Sequence, residues 1–258
     1  MQIIEVNRNQ GQGINSFSTH AIADASSFME VLAGLDQVAA QTPHSCYITV
    51  EFPGQLEYTM GHATERSGFD AETNYDEPEA DNDAKIYRRA YEAFRDPNQA
   101  RSWESLSGKM TATDDDLDQF IQVHTKLDHL VEPQHFVQQV PSDDPIDYLA
   151  CAPNGYFDGD FNPFENAAIV RRFCGTHGLR FLGMGAESLV FITADRLPPK
   201  PPLVAAIIAD MKHLYGNADS AVWQEITRAL AQSAVVVLSY SRGFFETIDF
   251  EEDPPFAE

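Results

Sequence analysis

Cysteine, positive charge and long apolar runs are all scarce in this sequence, and each scarcity removes a class of protein. The three cysteines, Cys46, Cys151 and Cys174, lie far apart. An odd, scattered set makes neither a disulfide framework nor a CxxC metal site. All three fall in apolar patterns that suit buried free thiols. No apolar run approaches the roughly 20 residues that span a bilayer, so membrane insertion is not expected. The N-terminus, MQIIEVNRNQ, has no basic stretch leading into an apolar one, so no signal peptide is expected and the location expected is the cytoplasm. Lysine and arginine total 17 against 40 acidic residues, a net charge of −23 over 258 residues. Nucleic acid and anionic membranes repel such a surface. A basic protein is the partner it favours, although acidity also serves solubility alone. The G-x-x-x-x-G-K-[ST] loop, HExxH and the G-x-S-x-G elbow are all missing, so no cofactor and no bound metal are expected.

The apolar pattern does support a core, because 43% of the residues are hydrophobic. A short strand is predicted at 2–6, then a polar loop to about His20. A helix comes next, from Asp24 to Gln41, with Phe28, Val31, Leu32, Leu35 and Val38 on one stripe. A strand at 46–52, a Pro53-Gly54 turn and a returning strand at 55–60 read as a hairpin. Residues 64–84 hold eight acids and one arginine and read as a solvated acidic loop. Helices are predicted at 83–95 and at 113–130, the second opened by the cap Thr113-Asp114-Asp115-Asp116. PSDDP at 141–145 reads as a linker and 148–152 as a strand. Asn162-Pro163 with Glu165 starts a helix that ends before Gly178. Strands at 179–184 and 188–193 form a hairpin. The proline run 198–202, helices at 203–215 and 220–232 and a strand at 234–240 complete the pattern. The fold class is therefore α+β, a mixed or antiparallel sheet with helices packed on it. Two sub-domains, 1–140 and 146–241, are compatible with it, succeeded by an acidic tail at 242–258.

Several constellations invite a chemical reading. His124 and Asp128 lie one helical turn apart, with His129 and His135 close by. His124 falls on the apolar stripe, however, and a hydrogen-bonded core histidine fits better than a metal ligand. Asp158-x-Asp160-x-Asn162 opens like a calcium loop, but Pro163 and Ile169 stand where the template needs glycine and a carboxylate. Gly183-Met184-Gly185 lacks the third glycine of a dinucleotide loop. Cys174 and His177 are three residues apart, a spacing that does not define a nucleophile–base pair. Tyr156, Phe157, Phe161 and Phe164, interleaved with Asp158 and Asp160, form a dense aromatic loop. Such a loop either seals the core edge or anchors a partner.

From Asp147 to Gly216 the sequence reads DYLACAPNGYFDGDFNPFENAAIVRRFCGTHGLRFLGMGAESLVFITADRLPPKPPLVAAIIADMKHLYG. It resembles a bacterial family catalogued as domain of unknown function 4253. The resemblance rests on an N-G-Y loop, a helix with A-x-[LIV]-[LIV]-R at Ala167–Arg171, and G-x-x-[FL]-[LIV]-G-M at Gly178–Met184. A second strand, a proline run and an alanine-rich helix ending in Tyr215 come after these. It spans roughly residues 146–241. It implies a cytoplasmic bacterial protein with a compact α+β domain and assigns no activity.

The function expected from these features is a non-enzymatic acidic interaction protein, of the kind represented by immunity-type inhibitors or adaptors of a basic partner. Its expected contact residues are Tyr156, Phe157, Asp158, Asp160 and Phe161, with Asp114, Asp115 and Asp116 steering association. The alternative is a hydrolase-like enzyme with a cleft between the halves, using Asp158, Asp160, Arg172 and His177; Arg171, next to Arg172 on the helix, would face elsewhere.

Overall fold

A computed structural model of the chain describes residues 1–6, 13–74, 76–140 and 142–251. Its frame is a seven-stranded open sheet in the order β1-β2-β4-β3-β5-β6-β7. The strands are β1 Gln2–Glu5, β2 Ser18–Ala23, β3 Ser45–Thr49, β4 Gln134–Val140, β5 Arg180–Met184, β6 Ser188–Ile192 and β7 Val235–Ser239. Every neighbouring pair is antiparallel except β3 and β5, which run parallel with Ile48 opposite Gly183. The helices are α1 Phe28–Ala39, α2 Pro53–Arg66, α3 Glu79–Arg95, α4 Asp114–Thr125, α5 Pro145–Cys151, α6 Pro163–His177, α7 Pro201–Tyr215 and α8 Trp223–Leu230. The fold is α+β with a mixed sheet. Because β3 comes from the first half and β5 from the second, the two halves share one sheet and one continuous apolar core.

Local sequence explains most of these elements. In α1 the stripe Phe28, Val31, Leu32, Leu35 and Val38 is buried and Ser27 caps the start by accepting the Glu30 N–H. Reciprocal caps start α4 (Thr113 with Asp116) and α6 (Asn162 with Glu165). Gly178 ends α6 at φ 66°, where a side chain would be strained.

Two segments differ in type from the pattern reading. Residues 53–66 form helix α2 rather than a turn and a returning strand. Pro53 occupies its first turn, where the missing N–H is harmless, and Leu56, Thr59, Ala63 and Thr64 are buried with helical spacing. Residues 145–151 form helix α5 rather than a strand, which also alters the first element of the family resemblance. Its side chains from Ile146 to Cys151 are all buried, and a short apolar run without a polar face has no readable period. Asp144, read as part of a linker, is its N-cap and accepts the Ile146 N–H. The acidic stretch 64–84 is also shorter as a loop, since α2 reaches Arg66 and α3 starts at Glu79. Within it Phe69 is buried against Phe94 and Phe164. The start of the expected acidic tail is likewise packed: Phe244, Phe245, Ile248 and Phe250 are buried, and Phe120 meets both Phe244 and Phe245. Residues 252–258 of that tail lie outside the described residues.

Three buried ionisable side chains tie the sheet together. Glu51, just past β3, is fully buried and accepts the N–H groups of Glu187 and Ser188 at 2.8 and 2.9 Å and the Ser188 hydroxyl at 2.5 Å. It thereby holds the β5–β6 turn. A Cβ at Gly185 would overlap its carboxylate. His135 receives the Glu132 N–H on Nε2, so its Nδ1–H donates to the Thr49 carbonyl. His124 receives the Val237 N–H on Nε2 and donates from Nδ1 to the Phe120 carbonyl. It is the hydrogen-bonded core histidine that its place on the stripe suggests, and it covers the outer edge of β7.

Burial pushes the Glu51 carboxyl up to about 7 and both histidines down to about 4. For the histidines, a depressed folded value means that their stability is present above pH 6.5 and lost as pH falls towards 4. For Glu51, a raised folded value means that stability present below about pH 4.5 is lost as pH rises through 7, by about 3 kcal/mol. Glu51→Gln keeps the acceptor and never ionises. Its stability relative to the parent, measured by urea unfolding, is therefore expected to rise by about 3 kcal/mol between pH 5 and pH 8; a difference that does not change with pH contradicts this assignment.

Candidate partner-binding face

Helix α2 carries two adjacent stripes, one on the surface and one lining a cavity. On the first, Tyr58, His62 and Arg66 are set at four-residue spacing, which places them one above another. Tyr58 meets the His62 ring edge-on at 4.6 Å, His62 stacks on Tyr156 at 4.7 Å, and Tyr156 meets Phe157 at 5.2 Å. The result is a continuous aromatic row with two strongly exposed members, Tyr58 at 60% and Phe157 at 52%. Arg66 closes its end, donating to the Tyr156 carbonyl and pairing with Asp158 at 2.8 Å. Exposed aromatics in contact with one another are the usual anchors of protein interfaces.

The second stripe, Glu57, Met60, Gly61 and Thr64, forms one wall of a cavity of about 290 Å³. Helix α3 supplies the opposite wall through Glu79, Asn82, Asp83 and Ile86, again with helical spacing. Ile14, Asn15, Cys151 and Pro153 line it further, and Asp70 and Thr73 complete the lining. Four carboxylates thus border one space, and the described lining residues include no lysine or arginine. Burial pushes the Glu57 carboxyl above its ordinary value, reinforced by repulsion from Glu79 and Asp83. Asp83 accepts the Ser16 N–H at 2.6 Å. Of the basic side chains on the two helices, Lys85 pairs with Glu77, Arg89 with Glu72 and Arg66 with Asp158, while Arg88 lines a different cavity.

The residues expected to form the contact surface divide. Tyr156, Phe157 and Asp158 are on the surface beside α2. Phe161, expected to be exposed, is fully buried, with the Lys109 ammonium 5.7 Å from its ring centre. Asp160 is buried too, accepting the N–H groups of Phe157 and Arg242. The cause is local: the Phe161 N–H bonds the Tyr240 carbonyl beyond β7, and Asn166 reaches back to the Phe161 carbonyl. These bonds turn this part of the loop inward. Asp114, Asp115 and Asp116 stand at the start of α4, which packs on β7 and α8. Asp116 is committed to the Thr113 cap and Asp114 accepts from Asn217. None of the three shares a hydrogen bond or ion pair with the 156–161 loop among the described residues. Tyr58 and His62, absent from the expected set, become visible once 53–66 is read as a helix.

The residues of the enzyme alternative fall into separate groups. Arg172 and His177 meet on Asp210 at 2.6 and 2.7 Å. Burial raises the Asp210 carboxyl, but the hydrogen bonds from His177 and Arg172 outweigh it and hold the group below its ordinary value. Asp158 is held by Arg66, and Asp160 by two backbone N–H groups. His177 directs Nε2 to Asp210 rather than to Cys174, whose thiol is pushed up to about 11 by burial. Arg171 donates to the Phe94 carbonyl. Among the described residues no group of three His, Cys, Asp or Glu side chains is arranged to hold a metal ion, and no helix is long and apolar enough to cross a membrane. No family model, curated protein or solved structure matches the chain.

The division of the loop has a direct test. Phe161→Ala is expected to destabilise the fold by about 3–5 kcal/mol, as for other buried phenylalanines. Phe157→Ala is expected to change stability by about 0.5 kcal/mol or less. Urea unfolding of both variants measures the contrast, and equal losses contradict the inward and outward assignment.

Proposed function

We propose that the chain is an interaction protein that captures a basic protein partner, in the manner of an immunity-type inhibitor or an adaptor, using the α2 face. The observation that carries this reading is the exposed aromatic row of α2 beside a cavity that Glu57, Asp70, Glu79 and Asp83 border and whose described lining holds no lysine or arginine. The two features have separate work. A net charge of −23 steers a cationic partner at long range and raises the association rate. The rings of Tyr58, His62, Tyr156 and Phe157 lose water only on contact, so they govern residence time. The cluster Asp114–Asp116 contributes to the field and not to the contact, because Asp116 already serves the helix start and Asp114 already accepts from Asn217.

The test is kinetic. A partner retrieved from the source organism with the tagged chain is titrated against the purified protein over a range of salt. The association rate is expected to fall by about tenfold or more as the screening length shrinks from about 30 Å to about 3 Å. Tyr58→Ala with Phe157→Ala is expected to leave association nearly unchanged and to speed dissociation by about tenfold or more. An association rate indifferent to salt, or a dissociation rate indifferent to both substitutions, contradicts the proposal.

A further inference from the structure

We propose that the cavity between α2 and α3 is a binding site for an alkyl primary ammonium, its methylene stem lying against the apolar wall and its charged head among Glu57, Asp70 and Glu79. Three features of the cavity select this chemistry. The first is electrostatic. Among the described residues none of these three carboxylates forms an ion pair, and the neighbouring cations Arg66, Lys85 and Arg89 are paired elsewhere. The second is a hydroxyl that the fold does not use. Thr64 lines the cavity at 5% exposure, and its hydroxyl has no hydrogen-bond partner among the described residues. A hydroxyl that lines the cavity and is left unused by the fold offers a bound donor an acceptor. The third is shape. A volume of about 290 Å³ lies at the small end of ligand sites, which run from roughly 300 to 1,000 Å³. It suits a slender chain rather than a nucleotide.

The same features argue against other cations. A divalent metal needs carboxylates converging on one point, and no three ligating side chains converge among the described residues. A guanidinium is a planar fork that prefers two oxygens of one carboxylate. Here the acceptors come from α2, from the segment before α3 and from α3 itself. An ammonium, with three donors around one nitrogen, can meet acceptors on separate elements. Ile14, Met60, Ile86 and Pro153 give the stem an apolar wall.

Two sources offer this chemistry, a free alkyl diamine or a lysine side chain of the basic partner. Only the second rests on the proposed capture of a basic protein. Calorimetric titration of the full chain at low ionic strength with 1,5-diaminopentane and with N-acetyl-lysine methylamide separates them. At least one is expected to bind. Glu57→Gln with Glu79→Gln is expected to raise its dissociation constant by about tenfold or more, the loss of one charge-assisted contact. Asp115→Asn with Asp118→Asn on α4 removes the same charge from exposed positions and is expected to change affinity by about twofold or less. Thr64→Val is expected to weaken binding without altering net charge. Magnesium chloride at matched ionic strength is expected to compete no better than sodium chloride. Binding of the diamine alone assigns the site to a free amine, and binding of the lysine derivative assigns it to a side chain. If the amine binds here while the salt and aromatic tests fail, the partner reading falls and the site stands. Failure of both amines to bind, equal weakening by the two charge-matched double variants, or displacement by magnesium overturns the site.

Discussion

The buried carboxylate of Glu51 is the point at which the two halves of the chain are joined. It lies past the end of β3, and three donors from the β5–β6 turn close on it. Tyr240, beyond β7, donates its hydroxyl to the Gly185 and Ala186 carbonyls of the same turn. A carboxylate without such donors could not be buried at tolerable cost. Its geometry also dictates a neighbour, because only glycine at 185 leaves room for it. The parallel pairing of β3 with β5 depends on this arrangement. So does the continuity of a core that runs from α1 to β7.

The residue after Glu51 sets the direction of α2. Phe52 adopts φ 45°, a left-handed conformation that turns the chain out of the sheet, and its N–H is held by Glu132. Helix α2 therefore leaves the sheet at a fixed point. Asn154 donates to the Leu56 carbonyl and the Thr59 hydroxyl, which attaches the 154–158 loop to α2. From these bonds come both the aromatic row and the cavity wall. The aromatic row and the cavity are thus a consequence of how a buried glutamate and a left-handed residue end β3, with α3 completing the opposite wall.

Much of the fold was legible where local chemistry and period agree. The α1 stripe, the Thr113 and Asn162 caps, the Gly178 stop and the 179–193 hairpin each have a signal within a few residues. Strand β4 was not legible, because His135 and Gln138 interrupt its apolar alternation. Both are buried and bonded to distant partners, Thr49 and Asn15, that local sequence does not reveal. Pro53-Gly54 carries a turn signal as strong as its helix-start signal, and tertiary packing of Leu56 and Ala63 decides between them. Of the candidate face, Tyr156 and Phe157 stood out in the sequence as a dense aromatic pair, and they lie on the surface. The inward turn of Asp160 and Phe161 was not, since it is imposed by Tyr240, far along the chain. The cavity was hidden for the same reason: its lining comes from several separated segments.

The central claim is that a partner sits on the α2 face, over Tyr58 and Phe157. A photoreactive amino acid placed at position 157, and separately at position 115, reports this directly in the source organism. The account predicts a covalent adduct with a basic protein from position 157 and none from position 115. Adducts from position 115 alone, or an adduct from 157 with a partner that is not basic, would contradict it.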